Sequence, residues 1–410
     1  MINTKTLHTE FPQPDAYKAL NFPVYNSAAY EFDTAEAMEA AFVGKTTDHT
    51  YSRISNPTVK YFEDRVQKIT NAANVTALNS GMSAISSTFI ALASAGCNIV
   101  VSPHLFGNTY SLLAFTLKSF GVETRFCDFL NHNEIEKNID ENTVAVFCEI
   151  ISNPQMEVVD LQKIADIAHK NNLPFIVDTT IIPFCSFSAR ECGIDIELVS
   201  STKYISGGAT SLGGLIIDYG TFNWKNSKKL ASLAEDFGNN AFSAKIKKEI
   251  HRNLGTYMTP QVAYMQTLGL ETLEIRYQKA ATNCITLAEK LKNLVGIEKV
   301  AYPAIKENPF YELSRKQFGD FAGAMLTFDL SSREDCFRFM NKLKLIRRAT
   351  NLFDNKTLAI HPASTIFGTF TESERQSMDV SQKTIRLSVG LEDVDDLWED
   401  LKQAMNSIKN

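Results

Sequence analysis

Residues 200–208 read SSTKYISGG, directly after the apolar run ELV at 197–199. One lysine, Lys203, stands among four hydroxyl side chains (Ser200, Ser201, Thr202 and Ser206) and ahead of two glycines. A phosphate-cradling P-loop has the order G-x-x-x-x-G-K-[ST], glycines first. Here the order is reversed, and that reading fails. The motif instead follows a short predicted strand over 197–200, the last in a series.

Working outward, the preceding segments alternate. A strand is predicted over 174–178 (PFIVD), a helix over 161–170 and a buried strand over 144–149 (VAVFCE). Further back come an extended run at 123–127, a helical stretch at 109–120, a strand at 98–102 (NIVVS) and an amphipathic helix at 81–95. Asn56-Pro57 has the form of an N-cap with proline at the first helical position, ahead of Tyr61, Phe62, Val66 and Ile69 at helical spacing. Strands alternating with helices predict an α/β fold: a mostly parallel central sheet covered by helices on both faces. The first 55 residues look irregular, with Pro12, Pro14 and Pro23 and one short helical stretch near 36–42. Beyond residue 255 the texture changes to a long helical pattern (261–293), then extended runs (324–328, 384–389) mixed with helices. The expected division is an N-terminal arm (1–55), a large domain (56–255) and a smaller α+β C-terminal domain (256–410).

The totals narrow the function classes. The 410 residues carry a net charge of −6 and no basic block, which argues against nucleic acid as a partner. No apolar run reaches the ~18 residues of a membrane span, and the N-terminus has no signal-peptide core. The seven cysteines form no C-x-x-C pair, which favours free thiols in the cytoplasm. The seven histidines form no H-x-H or H-E-x-x-H pair, so no metal site is expected.

Ligands of open α/β sheets bind beyond the carboxyl ends of the strands. Four groups of polar residues are expected on that rim: Ser80-Gly81-Met82 opening a helix, Ser152-Asn153-Pro154, Asp178-Thr179-Thr180, and Ser200 to Lys203. Each has a bland alternative when taken alone. Ser80 is an ordinary helix cap, Asn153-Pro154 a turn, Asp178 a cap on the next segment and Lys203 a solvated surface residue. Together they suit an aldehyde cofactor with a basic ring nitrogen and a phosphate. Pyridoxal 5′-phosphate (PLP) has those handles: a lysine for the aldehyde, an aspartate for the pyridine nitrogen, hydroxyls and a helix N-terminus for the phosphate. A dinucleotide would call for G-x-G-x-x-G after the first strand, which is absent.

These residues resemble the Cys/Met-metabolism PLP enzymes of fold type I. The resemblance rests on YSRISNPT (51–58), NSGMSAI (79–85), ISNP (151–154), VDTT (177–180), SSTKYISGG (200–208), IHPAST (360–365) and IRLSVGLED (385–393), in the family's order. It implies that Lys203 holds PLP covalently and shuttles protons, and that Asp178 pairs with the ring nitrogen. It places Ser80, Gly81, Met82, Thr180, Ser200 and Thr202 around the cofactor, chiefly its phosphate. It sends Tyr51 and Arg53 to the cofactor phosphate of a neighbouring protomer, with Tyr51 also near substrate. That implies at least a dimer with shared sites, usually a dimer of dimers. Arg386 would clamp the substrate α-carboxylate, its alternative being a strand-edge ion pair. Asn153 would contact the cofactor phenolate oxygen or the substrate carboxylate, and Asn351 the carboxylate.

Two departures bear on the reaction. The family's Y-G-x-T motif has Phe106 here, which keeps a stacking face and loses the hydroxyl. The cysteine that methionine γ-lyases carry in this motif is replaced by Asn108. Acetate needs little acid help to leave and methanethiolate needs more, so both changes weaken a lyase reading. The segment Arg347 to Lys356 resembles the O-acetylhomoserine sulfhydrylase branch. The implied activity is γ-replacement on O-acetyl-L-homoserine by sulfide, another thiol or a carrier-protein thiocarboxylate. The alternatives are methionine γ-lyase and cystathionine γ-synthase or lyase.

Overall fold

The computed structural model describes residues 2–9 and 15–408. Its large sheet has seven strands: β1 (Asn74–Leu78), β2 (Asn98–Val101), β3 (Glu123–Phe126), β4 (Thr143–Glu149), β5 (Phe175–Asp178), β6 (Ile196–Val199) and β7 (Gly214–Asp218). Their spatial order is β1-β7-β6-β5-β4-β2-β3. The four pairs among β3, β2, β4, β5 and β6 are parallel, while β7 runs antiparallel to both β6 and β1. The sheet is therefore mixed but mostly parallel, within the expected α/β class.

Period-two side-chain alternation divides each strand between two apolar cores. Val146 and Cys148 of β4 and Phe175 and Val177 of β5 face one core; Ala145, Phe147 and Ile176 face the other. The helices Pro57–Thr70 and Leu161–Lys170 cover the first face, and Gly81–Leu92 covers the second. This is why β4 reads as an unbroken apolar run: both of its faces are buried. Phe147, fully buried and edge-on to Phe89, anchors the second core, where truncation to alanine costs about 3–5 kcal/mol.

The second sheet has five strands: β8 (Lys299–Ala301), β9 (Met325–Asp329), β10 (Arg347–Arg348), β11 (Leu358–Ile360) and β12 (Thr384–Ser388), in the order β10-β11-β12-β9-β8. Met325, Phe328, Ile385 and Leu387 belong to the same apolar cluster as one face of the large sheet. The two sheets thus share a core, which holds β12 in fixed relation to the large sheet.

Several expectations change in detail. β1 and β7 were not foreseen as strands. The helical pattern at 261–293 is two helices, Pro260–Glu271 and Leu273–Leu291, broken at Thr272. Arg276 reaches back across the break to the Gly269 carbonyl, which a continuous helix would have used, and ties the helix to the lysine loop through the Tyr204 carbonyl. The helical stretch at 109–120 begins earlier, at Gly107–Ser111, and continues as a π-helix over Leu112–Leu117. The N-terminal segment holds a helix, Ile2–Leu7, pinned by Arg65 to the Thr6 carbonyl and by Lys68 to the His8 carbonyl. Pro12 and Pro14 lie outside the described residues.

Candidate active site

β1 is antiparallel to β7, and β7 to β6, so β1 points the same way as β4, β5 and β6. Their carboxyl ends share one rim, delivering Asn79-Ser80, Glu149, Asp178 and Ser200 to a common region. The chain leaves β6 through the lysine motif and returns directly as β7, so Lys203 sits in a loop held at both ends by paired strands.

The helix Gly81–Leu92 opens onto this rim. Ser80 caps it, its Oγ accepting from Ser83 N–H at 3.1 Å. A Cβ on Gly81 would stand 2.7 Å from Ser200 Cβ and 2.9 Å from Ser200 Oγ. Only glycine lets the helix start and Ser200 meet. Ser200 N–H donates to Thr180 Oγ1 (2.8 Å), and Thr180 N–H donates to Asp178 Oδ1 (2.9 Å). Thr202 Oγ1 accepts from Gly213 N–H at 3.0 Å and donates to Gly213 O at 3.2 Å, so its proton is already committed. Met82 Sδ accepts from Thr109 Oγ1 at 3.9 Å. Gly208 takes the left-handed side of the backbone map, φ 132°, and a Cβ there would meet the Asn355 amide at 2.6 Å.

Lys203 Nζ donates to Asn351 Oδ1 at 2.9 Å. Burial, then the positive charge of Arg386, push its amine down to about 8, against the opposing pull of Asp178. Asp178 is partly buried, and that burial raises its pKa while Thr180 and Lys203 draw it back.

Arg386 lies on β12, the middle strand of its sheet, opposite Ile360 and Thr327. It is 3% exposed. Nη1 donates to Asn153 Oδ1 and Nη2 to the Asn351 carbonyl, both at 3.2 Å, while Nε has no partner. Among the described residues no carboxylate pairs with it, so the strand-edge ion pair does not form. Burial alone pushes its pKa down. Asn351 joins the two cations: its side chain takes Lys203 and its carbonyl takes Arg386.

Phe106 N–H donates to Glu149 Oε1 at 2.6 Å. Tyr51 and Arg53 stand apart. Tyr51 is 42% exposed; Arg53 Nη1 donates to the Arg252 carbonyl at 2.6 Å, its guanidinium 5.4 Å from the Tyr51 ring centre. Within one chain they pair with each other, and no hydrogen bond links their side chains to Lys203 or Arg386 among the described residues. Two residues were not singled out from the sequence. Glu149 closes β4 beside Asp178, and the only signal is a charge ending an apolar strand. His104 bridges Glu157 (2.5 Å) and Asp379 (3.1 Å), tying the loop before Phe106 to the segment at 378–380. Burial pulls its pKa down, but the two carboxylates outweigh burial and hold it above the usual histidine value.

Comparison with known proteins decides the family. The family model for Cys/Met metabolism PLP-dependent enzymes matches residues 3–406. The chain belongs to that family. It is 32% identical to the O-acetyl-L-homoserine sulfhydrylase of Corynebacterium glutamicum, over 99% of this chain and 97% of the relative. A Campylobacter jejuni structure provisionally assigned as an O-acetylhomoserine (thiol)-lyase, carrying pyridoxyl-lysine phosphate, superposes with a TM-score of 0.94 at 35% identity, covering 99% of each chain. The O-acetylhomoserine sulfhydrylase of Wolinella succinogenes is 43% identical, with a TM-score of 0.78 over 86% of this chain and 99% of that one.

As a member of this family the chain uses PLP, and its residues fit that cofactor. The glycine-opened helix start against Ser200 is a cradle that any Cβ at position 81 would fill. Lys203 offers an amine pushed toward its reactive neutral form. Asp178 offers a partly buried carboxylate that feels the charge of Lys203.

Proposed function

We propose that this chain catalyses γ-replacement on O-acetyl-L-homoserine, with sulfide as nucleophile, giving L-homocysteine and acetate. The observation that carries this reading is Asn351, which ties a lysine with a reactive amine to a buried guanidinium that has no carboxylate partner among the described residues. That spacing suits an α-amino acid: the amine goes to the lysine side and the carboxylate to the arginine side.

When bound, PLP supplies an electron sink for charge developing next to the substrate amine. Lys203 would hold it, with Asp178 at the ring nitrogen. Ser80, Gly81, Met82, Ser200 and Thr202 would lie at the phosphate, with Thr180 supporting Asp178 and Ser200. Tyr51 and Arg53 would reach the phosphate of a neighbouring protomer's cofactor, which requires at least a dimer as the working form, a dimer of dimers being the arrangement the family resemblance implies.

Arg386 binds the α-carboxylate through paired N–H groups, a geometry lysine lacks. Asn153 steers that guanidinium. Asn351 orients Lys203 Nζ, which takes the proton from Cα and returns it at the end. An amine held near pH 8 is well matched to moving protons in both directions. Phe106 has no hydroxyl to protonate a leaving group, which acetate does not need. The seven cysteines are all free thiols, which supports a cytoplasmic setting.

The test is direct. Purified protein with O-acetyl-L-homoserine and sulfide should release homocysteine and acetate in equal amounts. Release of 2-oxobutyrate and a thiol from methionine alone, at a comparable rate, would replace this reading with a lyase. A thiocarboxylated carrier protein supplied in place of sulfide tests the other sulfur source.

A further inference from the structure

Glu149 has no role in the chemistry above, yet it stands, partly buried, at the strand ends that build the site. β4 and β5 are adjacent parallel strands, and Glu149 and Asp178 are register partners at their ends. Two carboxyl groups therefore end adjacent strands on the same side of the sheet, both partly buried. Partial burial and the neighbouring Asp178 charge both raise the Glu149 pKa, favouring a proton on one of the two carboxyls.

The surroundings decide which. Asp178 has the Thr180 N–H on its oxygen and the Lys203 charge nearby. Glu149 has one hydrogen bond, from Phe106 N–H, and the charge facing it is the negative charge of Asp178. On its own strand the neighbour is Cys148, itself buried and pushed toward the neutral thiol. Glu197, on β6, turns to the hydroxyls of Thr179 and Tyr219. No cation is hydrogen-bonded to Glu149 among the described residues.

We propose that Glu149 is a positioning residue: held as a neutral carboxylic acid, it anchors the Phe106 backbone and leaves the negative charge of the rim on Asp178. Its carbonyl-type oxygen needs only to accept from Phe106 N–H, which a neutral acid does. That bond fixes the start of the helix Gly107–Ser111 and the ring immediately before it. The Asp178 charge then remains for the pyridine nitrogen. The inference rests on the proposed function only in giving Asp178 and Phe106 a cofactor to face.

Glutamine is the neutral mimic of such an acid. Its amide oxygen accepts the same hydrogen bond, and its NH2 group can donate to Asp178. A carboxyl kept neutral by the fold has its folded pKa above the unfolded value of about 4.3. It therefore costs stability progressively as pH rises above that value. Glu149→Gln removes the cost.

Two measurements test this. In urea unfolding of the purified protein, Glu149→Gln should have a higher midpoint than the parent at pH 8, with the gap shrinking toward pH 5. A lower midpoint at pH 8 would mean that Glu149 is ionised and paired, and would overturn the proposal whether or not PLP binds. In PLP titration followed by absorbance and dichroism of the cofactor band, Glu149→Gln should bind within about threefold of the parent. Glu149→Leu, similar in size but without an acceptor, should bind at least about tenfold more weakly with altered dichroism. Equal binding by Glu149→Leu and parent would overturn the anchoring role.

Discussion

The two sheets contribute to the site in opposite ways. On the rim of the seven-stranded sheet, the charged groups at the strand ends have partners within the chain, although Ser201 Oγ behind them has none among the described residues. Asp178, Thr180 and Ser200 form one chain of hydrogen bonds, and Glu149 takes the Phe106 N–H. On the five-stranded sheet, β12 presents a buried guanidinium with an unpartnered Nε and no counter-ion. One side has its charged groups held within the chain, as befits the seat of a cofactor that stays. The other is left incomplete, as befits a place where a substrate comes and goes. A buried cation without its partner is destabilising by itself, and the folded chain carries that cost until a carboxylate arrives.

Removing a member from each side should break this contrast differently. The largest effect is expected for Lys203→Ala. Turnover should fall on the order of 10⁴-fold or more, as for removal of other covalent nucleophiles. The visible band should change to that of non-covalently held PLP. Next comes Arg386→Met. Here kcat/KM should drop on the order of 10²- to 10³-fold, mainly through KM, while PLP binding is retained. The same variant should melt at a higher temperature than the parent, because an unpaired buried charge is gone. A lower melting point would mean that the guanidinium is compensated in the folded chain.

The third effect sharpens the account of the cofactor side. With the Lys203 amine pushed down to about 8, the second-order rate of PLP uptake by cofactor-free protein should rise through that pH. Below it the gain is about tenfold per pH unit, and above it the rate levels off. A rise centred near 10 would show that neither burial nor Arg386 acts on the amine.

The smallest effect concerns the clasp between the two regions. His104 has its pKa raised, so its contribution to stability is fully present below the unfolded value of about 6.5. It is lost as pH rises through the folded value. His104→Gln should remove about 1 kcal/mol from unfolding stability at pH 6 and less at pH 9. An equal loss at both pH values would assign His104 a packing role alone.

Much of the large-sheet side was legible in the sequence, and the physical reason is locality. Lys203 and Asp178 each follow an apolar run within a few residues, so a strand-end placement could be read from the chain itself. Glu149 could not be singled out that way, since its meaning comes from register with Asp178 across a strand pair. Asn351 was assigned to the carboxylate through resemblance, but its link to Lys203 spans 148 positions and depends on how the two sheets pack. β7 was hidden because the run after two glycines looks like the exit from a loop. Its antiparallel return is a tertiary choice that period-two alternation does not encode. Tyr51 and Arg53 illustrate a different limit: the proposed role for them lies on a second copy of the chain.

That return of β7 has a mechanical meaning. Residues 200–213 form a loop whose two ends are bolted to adjacent strands and cross-tied by Thr202 to Gly213. The backbone under Lys203 is thus a fixed pivot, and the four-carbon side chain is its arm. In the proposed role, releasing a bound cofactor and recapturing it would need only that arm to swing, and the amine would return to the same point because its pivot is fixed.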